Sequence, residues 1–117
     1  METKYPKPDK RFLVPLFGGE VNVFRNKDKM NKAHLALGLE EIDFTGNVGI
    51  ARNLSHTGTG EVLYLVGWFD EKQTTLVHEL AHLTFYVLGN AGVPVENNGA
   101  ANETYCYLLD NLFEMCQ

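Results

Sequence analysis

Cysteines and long apolar runs are both scarce in this sequence, and each shortage excludes a class of protein. Cys106 and Cys116 are the only cysteines among 117 residues. Because they lie ten positions apart on one predicted helix, they are too distant to form a disulfide bond, and two unpaired thiols predict a reducing, cytoplasmic compartment. No apolar stretch approaches the roughly 20 residues of a membrane span, and residues 1–8 lack the apolar core of a signal peptide. We therefore expect no membrane partner.

Basic residues are outnumbered by acidic ones, which limits the choice of partners. Ten Lys and Arg stand against fifteen Asp and Glu, and the formal net charge is −5. Binding to a nucleic-acid backbone needs clustered Lys and Arg, so no nucleic-acid partner is expected. Most of the basic residues fall within residues 4–32, where an ordinary solvated surface is the preferred interpretation and a docking face is the alternative.

Length and composition predict one globular domain. Apolar residues make up 44% and charged residues 21% of the sequence, as in soluble globular proteins, and a chain of 117 residues suffices for a single hydrophobic core. Two prolines and several charged side chains within residues 1–10 predict a flexible amino-terminal arm. The domain is therefore expected to span residues 11–117.

Apolar periodicity and turn residues predict elements in the order strand, strand, helix, strand, strand, helix, helix. That order gives an α+β fold with a small antiparallel or mixed sheet. Pro15 marks the first strand as an edge or irregular segment, the polar Arg52 and Asn53 mark the third strand as an exposed edge, and the apolar run at 62–66 suits a central strand. The expected bounds are two short strands within 11–24 about Gly18 and Gly19, a helix at 27–37, strands at 48–54 and 61–69, and helices at about 71–88 and 99–115.

Capping residues and helical spacing refine the helices. Asn26 is the expected cap of the first helix and Gly38 its end. Asp70 is the expected cap of the second helix and Gly89 its end. The side chains expected to face the core are Met30, His34 and Leu37 on the first helix, Ile42 and Phe44 in the following loop, and Tyr105, Leu108, Leu109 and Leu112 on the last helix.

The strongest chemical signal lies in residues 75–82. His78 and His82 are four positions apart on a predicted helix, so their rings project from one face and can bind one metal ion. Glu79 leans toward the same side, where its carboxylate reaches a water molecule beside the metal. This is the His-Glu-x-x-His pattern of zinc hydrolases, in which a tetrahedral zinc has three protein ligands and one open position. Glu103 is the candidate third ligand, because a turn and a second helix can return its carboxylate to the histidines. The alternative is an ordinary amphipathic helix with solvated or packed histidines.

These residues resemble the gluzincin branch of the zincin metallopeptidases, in which a second helix supplies a glutamate ligand. Residues 99–103, Gly-Ala-Ala-Asn-Glu, are similar to the thermolysin-type ligand segment. The whole of 70–117 also looks like small metallopeptidase-like proteins of phages and prophages and like the minimal core of the ImmA/IrrE group. The resemblance implies a minimal zincin-like domain whose sheet packs on an active-site helix and a C-terminal ligand helix, with zinc as cofactor and the host cytoplasm as the location of a phage-encoded protein. The sequence departs from the thermolysin type at Tyr107, where those enzymes carry an aspartate.

The resemblance further implies a zinc-dependent metalloendopeptidase acting on a peptide or protein. Glu79 would accept a proton from water as general base and pass it to the leaving amine. Such a reaction also needs a hydrogen-bond donor for the developing oxyanion. Tyr105, Tyr107 and His56 are the candidate donors, and Tyr107 can instead orient a metal ligand.

An edge strand lines the cleft of zincins and pairs with extended substrates, and the resemblance assigns this role to Ile50, Ala51, Arg52 and Asn53.

Two other functions remain open. The domain can be a phage-encoded zinc protein that cleaves nothing and acts as a binding or regulatory protein, and a side chain such as Glu96, Glu114 or a cysteine in the fourth metal position would favour that alternative. It can also hydrolyse something other than peptides, which the missing third histidine disfavours.

Overall fold

The computed structural model describes residues 4–56, 58–96 and 101–117. The elements follow the predicted order and confirm the α+β class. They are β1 (Lys10–Leu13), β2 (Glu20–Phe24), α1 (Lys27–Ala36), β3 (Gly49–Ser55), β4 (Val62–Trp68), α2 (Gln73–Asn90) and α3 (Ala101–Met115). No helix in these described ranges is both long and apolar enough to cross a membrane.

The strands form one mixed sheet in the order β1-β2-β4-β3. β1 pairs antiparallel with β2, β2 pairs parallel with β4, and β4 pairs antiparallel with β3. The predicted antiparallel pair within 48–69 is therefore confirmed, and so is its assignment of an edge strand and a central strand. The edge position predicted for the first strand from Pro15 is confirmed as well, since β1 lies at the opposite end of the sheet.

Helices cover both faces of the sheet. Because successive residues of a strand point to opposite faces, odd and even positions enter different hydrophobic clusters. Val21, Val23, Tyr64, Val66 and Trp68 pack with the buried residues of α2 and α3. Phe24 and Leu65 pack on the other face with Met30, Ala33 and Phe44, from α1 and the loop that follows it. The His-Glu-x-x-His motif thus lies on the α2 side of the sheet.

The first helix agrees with its prediction except at its last residue. The Asn26 side chain accepts a hydrogen bond from the Lys29 backbone N–H at 3.0 Å. Met30 and His34 are buried as expected, but Leu37 is 40% exposed. Leu37 lies outside the buried face because the helix ends at Ala36 and the chain then turns at Gly38, whose φ is +80°. In the following loop Phe44 is buried and Ile42 half-buried, as predicted.

Both predicted ends of α2 need correction. Asp70 is not the cap, because the helix begins later and Lys72 stands at that position without a side-chain hydrogen bond. Gly89 does not end the helix, which continues to Asn90. The stop is Gly92, with φ of +76°. The Gly92 N–H donates to the Gly89 carbonyl at 3.1 Å and the Val93 N–H to the Leu88 carbonyl at 2.8 Å, which is the Schellman arrangement that ends many helices.

Residues 4–10 belong to the flexible arm predicted over residues 1–10, and in the structure they contact β2; residues 1–3 lie outside the described part of the chain. The Tyr5 ring meets the Phe24 ring edge-on with centroids 6.2 Å apart, and the Tyr5 hydroxyl donates to Asn22 Oδ1 at 2.6 Å. The Asp9 N–H donates to the Val23 carbonyl at 2.8 Å and so extends the β1–β2 pairing. Burial raises the pKa of Tyr5 to about 12, as expected for a phenol packed against the sheet.

Candidate metal centre

Helix α2 presents two imidazoles side by side at its exposed surface. Leu76, Leu80, Leu83 and Val87 are buried on its opposite side and fix the helix on the sheet. His78 and His82 therefore point outward one turn apart, with ring centroids 4.9 Å apart and ring planes at 79°. Their Nε2 atoms face each other at 3.3 Å. The predicted pairing of the two rings is thus present in the structure.

The separation of the two nitrogens fits a metal chelate. Two nitrogens that each lie about 2.0–2.1 Å from a zinc ion, at a tetrahedral angle, are about 3.3 Å from one another. The observed Nε2–Nε2 distance is 3.3 Å. A single hydrogen bond from one neutral imidazole to the other also matches this distance, so the geometry suits both a zinc-loaded and a metal-free form of the pair.

Glu79 lies beside the two histidines but on the buried side of the helix. Its side chain is 8% exposed, and donor atoms of His78, Glu79 and His82 all lie within 4.8 Å of one another. Burial raises the pKa of the Glu79 carboxyl group, and the charges of His78 and His82 act in the opposite direction. A carboxylate made less acidic by burial is a better proton acceptor.

An open cleft of about 430 Å³ borders the motif. One wall is the loop that enters β3, and the other is the first half of α2. The lining residues are Gly46, Asn47, Val48 and Gly49 on the first wall and Thr74, Thr75, His78 and Glu79 on the second. The cleft therefore lies between the start of the edge strand and the His-Glu-x-x-His motif, and the Glu79 carboxylate is part of its lining.

Only alternate residues of β3 offer free backbone groups at the edge of the sheet. The Phe69 N–H donates to the Val48 carbonyl at 2.9 Å and the His56 N–H to the Glu61 carbonyl at 2.8 Å. Since hydrogen-bonded and non-hydrogen-bonded pairs alternate in antiparallel strands, the even-numbered residues between them bond to β4. The N–H and C=O groups of the odd-numbered residues point away from β4, toward the open edge of the sheet. Of the four residues predicted to receive a substrate, Ala51 and Asn53 therefore direct their backbone groups to the open edge, whereas Ile50 and Arg52 direct theirs toward β4.

Glu103 does not join the group formed by the two histidines and Glu79. Its side chain is exposed in the first turn of α3. The Tyr105 hydroxyl donates to the Ala81 carbonyl at 3.0 Å, so Tyr105 faces α2. Glu103 comes two residues earlier, about 200° around the helix, and therefore lies on the opposite face. The two helices pack together as predicted, but the predicted convergence of the third ligand is not present, and residues 99–100 of the predicted ligand segment lie outside the described residues.

The structure does not place the three candidate oxyanion donors at the cleft. The Tyr105 hydroxyl is already bonded to the Ala81 carbonyl, and burial raises its pKa. Tyr107 is 65% exposed. His56 follows the far end of β3, roughly 20 Å along the strand from Gly49, and its Nδ1 accepts from the Gly58 N–H at 3.1 Å as part of a turn. The positions of these residues along the chain gave no measure of their distance from the motif in space.

The remaining candidate ligands also lie apart from the motif. Within the described residues, neither Glu96, Glu114 nor a cysteine belongs to the donor group. Cys106 is exposed and Cys116 buried, both with free thiols, and burial raises the pKa of Cys116 to about 11. In the described part of the chain, the donor group is therefore limited to His78, Glu79 and His82.

Gly49 is the site residue that the sequence analysis missed. A Cβ built on it would lie 2.9 Å from Glu79 Oε2, so the edge strand and the buried carboxylate are in direct contact there. A glycine inside a predicted strand signals a close approach of another group to the backbone. That signal was present in the sequence at the first residues of the strand predicted at 48–54.

No protein-family model matches the sequence, and neither the curated proteins nor the solved structures that were searched contain a match. Function is therefore inferred from the residues of the site.

Proposed function

We propose that the chain is a minimal zincin-like zinc metalloendopeptidase that acts in the cytoplasm, of the kind encoded by phages. The observation that carries the proposal is the pair of Nε2 atoms 3.3 Å apart with the buried Glu79 carboxylate beside them. His78 and His82 hold the metal. Glu103 is the predicted third ligand, and it reaches the pair if the first turn of α3 rotates toward α2.

The chemistry divides between the metal and Glu79. A bound zinc ion supplies Lewis acidity, which polarises a carbonyl group and lowers the pKa of water toward about 7. Glu79 accepts the proton of the attacking water and then donates it to the nitrogen of the leaving amine. Burial on the α2 side of Gly49 keeps this carboxylate largely out of solvent, and the raised pKa favours the proton transfer.

An extended polypeptide is the substrate that suits the cleft. The outward N–H and C=O groups of Gly49, Ala51 and Asn53 offer backbone pairing at the open edge of the sheet, and the cleft begins at Gly49. Main-chain pairing accepts many sequences because it reads the backbone, while side-chain pockets add specificity. We therefore expect cleavage of unfolded protein segments.

The test is a comparison of Glu79→Gln with the wild type. Zinc content is measured by metal analysis and calorimetry, and cleavage of an unstructured protein is followed by mass spectrometry. The wild type is expected to bind one zinc ion and to cleave, and Glu79→Gln is expected to retain zinc while cleavage falls at least about 100-fold. Glu71→Gln, the same change at an exposed position before α2, is the matched control and should cleave normally. Cleavage by Glu79→Gln at the wild-type rate would refute the assignment of the base.

A second function is favoured by the composition of the donor group. The group contains Glu79 but not Glu103, and a zinc ion held by His78, His82 and Glu79 would leave no free carboxylate to act as base. The protein would then be a zinc-binding regulatory or binding protein that cleaves nothing. A wild type that holds zinc tightly without cleaving, together with loss of zinc in Glu79→Gln, would support this function over the peptidase.

A further inference from the structure

Gly49 stands at the first position of β3 with its α-carbon against helix α2. A Cβ at this position would lie 2.9 Å from three atoms, Glu79 Cγ, Glu79 Oε2 and Thr75 Cγ2. Its φ is not among the positive values found at other glycines, such as Gly46 and Gly92, so the backbone conformation itself accepts any residue. What requires glycine at position 49 is therefore space, and the space is occupied by the Glu79 side chain.

The three contacts differ in how far they can give way. Thr75 is β-branched, and its Oγ1 donates to Asp70 Oδ2 at 2.8 Å, which fixes the orientation of its Cγ2 methyl group. The strand is held from its other side, because Gly49 pairs with Trp68 and the Val48 carbonyl accepts from the Phe69 N–H at 2.9 Å. The Glu79 carboxylate is the flexible partner, so a Cβ at position 49 would displace it first.

We propose that Gly49 is a positioning residue: because it has no side chain, the Glu79 carboxylate can lie under the edge strand, beside the imidazoles of His78 and His82. The inference rests on the proposed peptidase function. Gly49 acts through Glu79 and not through the metal, because the atoms nearest to an added methyl group at position 49 do not belong to His78 or His82. It also acts on the α2 face, away from the outward backbone groups that would pair with a substrate.

The expected signature is a loss in kcat without a matching change in substrate or metal binding. A displacement of a reacting group by about 1 Å can cost on the order of 100-fold in rate, so Gly49→Ala should lower kcat by about 10- to 100-fold. KM and zinc affinity should stay near the wild-type values, since the edge of the sheet and the two imidazoles are not altered.

The rescue and control variants follow from the space around each glycine. Thr75→Ser removes Cγ2 but keeps the hydroxyl that bonds to Asp70, and Gly49→Ala/Thr75→Ser should therefore recover part of the lost kcat. Gly89→Ala is the control, because a Cβ at Gly89 meets nothing within 4 Å, and it should cleave like the wild type. If Gly49→Ala alone does not fold, the Gly49→Ala/Thr75→Ser double variant replaces it in every measurement.

The experiment compares these proteins by steady-state kinetics, zinc titration and crystal structures of their zinc-loaded forms. A reduced kcat with unchanged KM and zinc affinity, together with a carboxylate moved by more than about 1 Å, supports the inference. Wild-type kcat in Gly49→Ala, or a carboxylate that has not moved, overturns it. A wild type that binds zinc but cleaves nothing refutes the proposed function instead, and the position of the carboxylate in the crystal structures then decides alone whether Gly49 places it.

Discussion

His34 should make the folded protein sensitive to acid. The Asn31 amide is oriented by Ile42, whose N–H donates to Oδ1 at 2.8 Å and whose carbonyl accepts from Nδ2 at 2.9 Å. His34 Nδ1 lies 3.4 Å from the same Oδ1. Since that oxygen can only accept, the neutral ring carries its proton on Nδ1. Nε2 is then an acceptor without a donor, and it is the one buried side-chain nitrogen or oxygen atom of the described residues that has no hydrogen-bond partner.

Protonation of His34 would place a charge where nothing compensates for it. The side chain is 0% exposed and stacks on Phe44, with ring centroids 6.2 Å apart. Burial lowers the pKa of His34, and the positive charge of Arg52 lowers it further. The unfolded chain therefore takes up this proton at a higher pH than the folded protein does. The free energy of unfolding should be unaffected above about pH 6.5 and should fall as the pH decreases from there to the folded-state pKa, by at most about 1.4 kcal/mol per pH unit.

The measurement compares the wild type with His34→Leu, which has no titrating group at this position. Urea unfolding of the metal-free proteins, followed by circular dichroism at several values between about pH 8 and about pH 5, gives the difference in stability between them. Subtracting the free energy of unfolding of one protein from that of the other removes the contribution of titrating groups that both proteins contain. We expect the wild type to lose stability relative to His34→Leu as the solution is acidified. Two stability curves that run parallel over this range would refute the reasoning.

Two further predictions concern the rotation of α3. Glu103→Ala should weaken zinc binding at least about tenfold and leave the stability of the metal-free protein unchanged, because the carboxylate is exposed. Calorimetry measures the zinc affinity and thermal unfolding the stability, with Glu114→Ala at another exposed position as the control. An unchanged zinc affinity would count against Glu103 as a ligand. Tyr105→Phe removes the hydrogen bond to Ala81 and should lower the free energy of unfolding by about 1 kcal/mol. If Glu103 must turn to reach the metal, the same variant should bind zinc a few fold more tightly, and an affinity equal to the wild type would contradict that turn.

The first helix and the strand pair could be predicted because their signals are local. Asn26 caps the start of α1 and Gly38 follows its end, so both signals lie within one short segment. The apolar run at 62–66 predicted the central strand β4. The polar side chains of Arg52 and Asn53 marked β3 as an edge. None of these predictions requires knowledge of a distant residue, since capping, burial and side-chain alternation act on neighbours in the chain.

The predictions failed at the two ends of α2, where each local signal has a different role in the structure. Asp70 has the chemistry of a helix cap, but its carboxylate accepts from the Thr75 hydroxyl and the Lys72 N–H, and the helix begins beyond Lys72. Gly89 has the composition of a helix stop, yet Gly92 follows within one turn and takes the left-handed conformation. With buried Val87 and Leu88 holding the last turn on the sheet, tertiary packing decided which glycine ended the helix.

The docking of residues 4–10 required contacts that no short window contains. Pro6 and Pro8 give this stretch the composition of a linker, but Tyr5 reaches Asn22 and Phe24 on a strand that begins fifteen residues later. The Tyr5 ring and hydroxyl and the backbone hydrogen bond from Asp9 to Val23 hold the segment on β2, although its residues remain half-buried or exposed. Composition therefore gives no sign of contacts that depend on one aromatic side chain and a distant strand.

The candidate metal centre combines one feature that is set by neighbouring residues with another that is set by the packing of a distant helix. The 3.3 Å approach of the two imidazole nitrogens follows from a spacing of four on one helix, so the motif alone could predict it. The third ligand depends on how a different helix is rotated about its own axis, and a separation along the chain leaves that angle free. In this structure Leu108 and Leu112 are buried in the core with residues of α2, and the Tyr105 hydroxyl bonds to the Ala81 carbonyl. This packing leaves Glu103 on the outside. The two functions proposed above differ in this rotation, because Glu79 would stay free to act as a base only if Glu103 took the place of the third ligand.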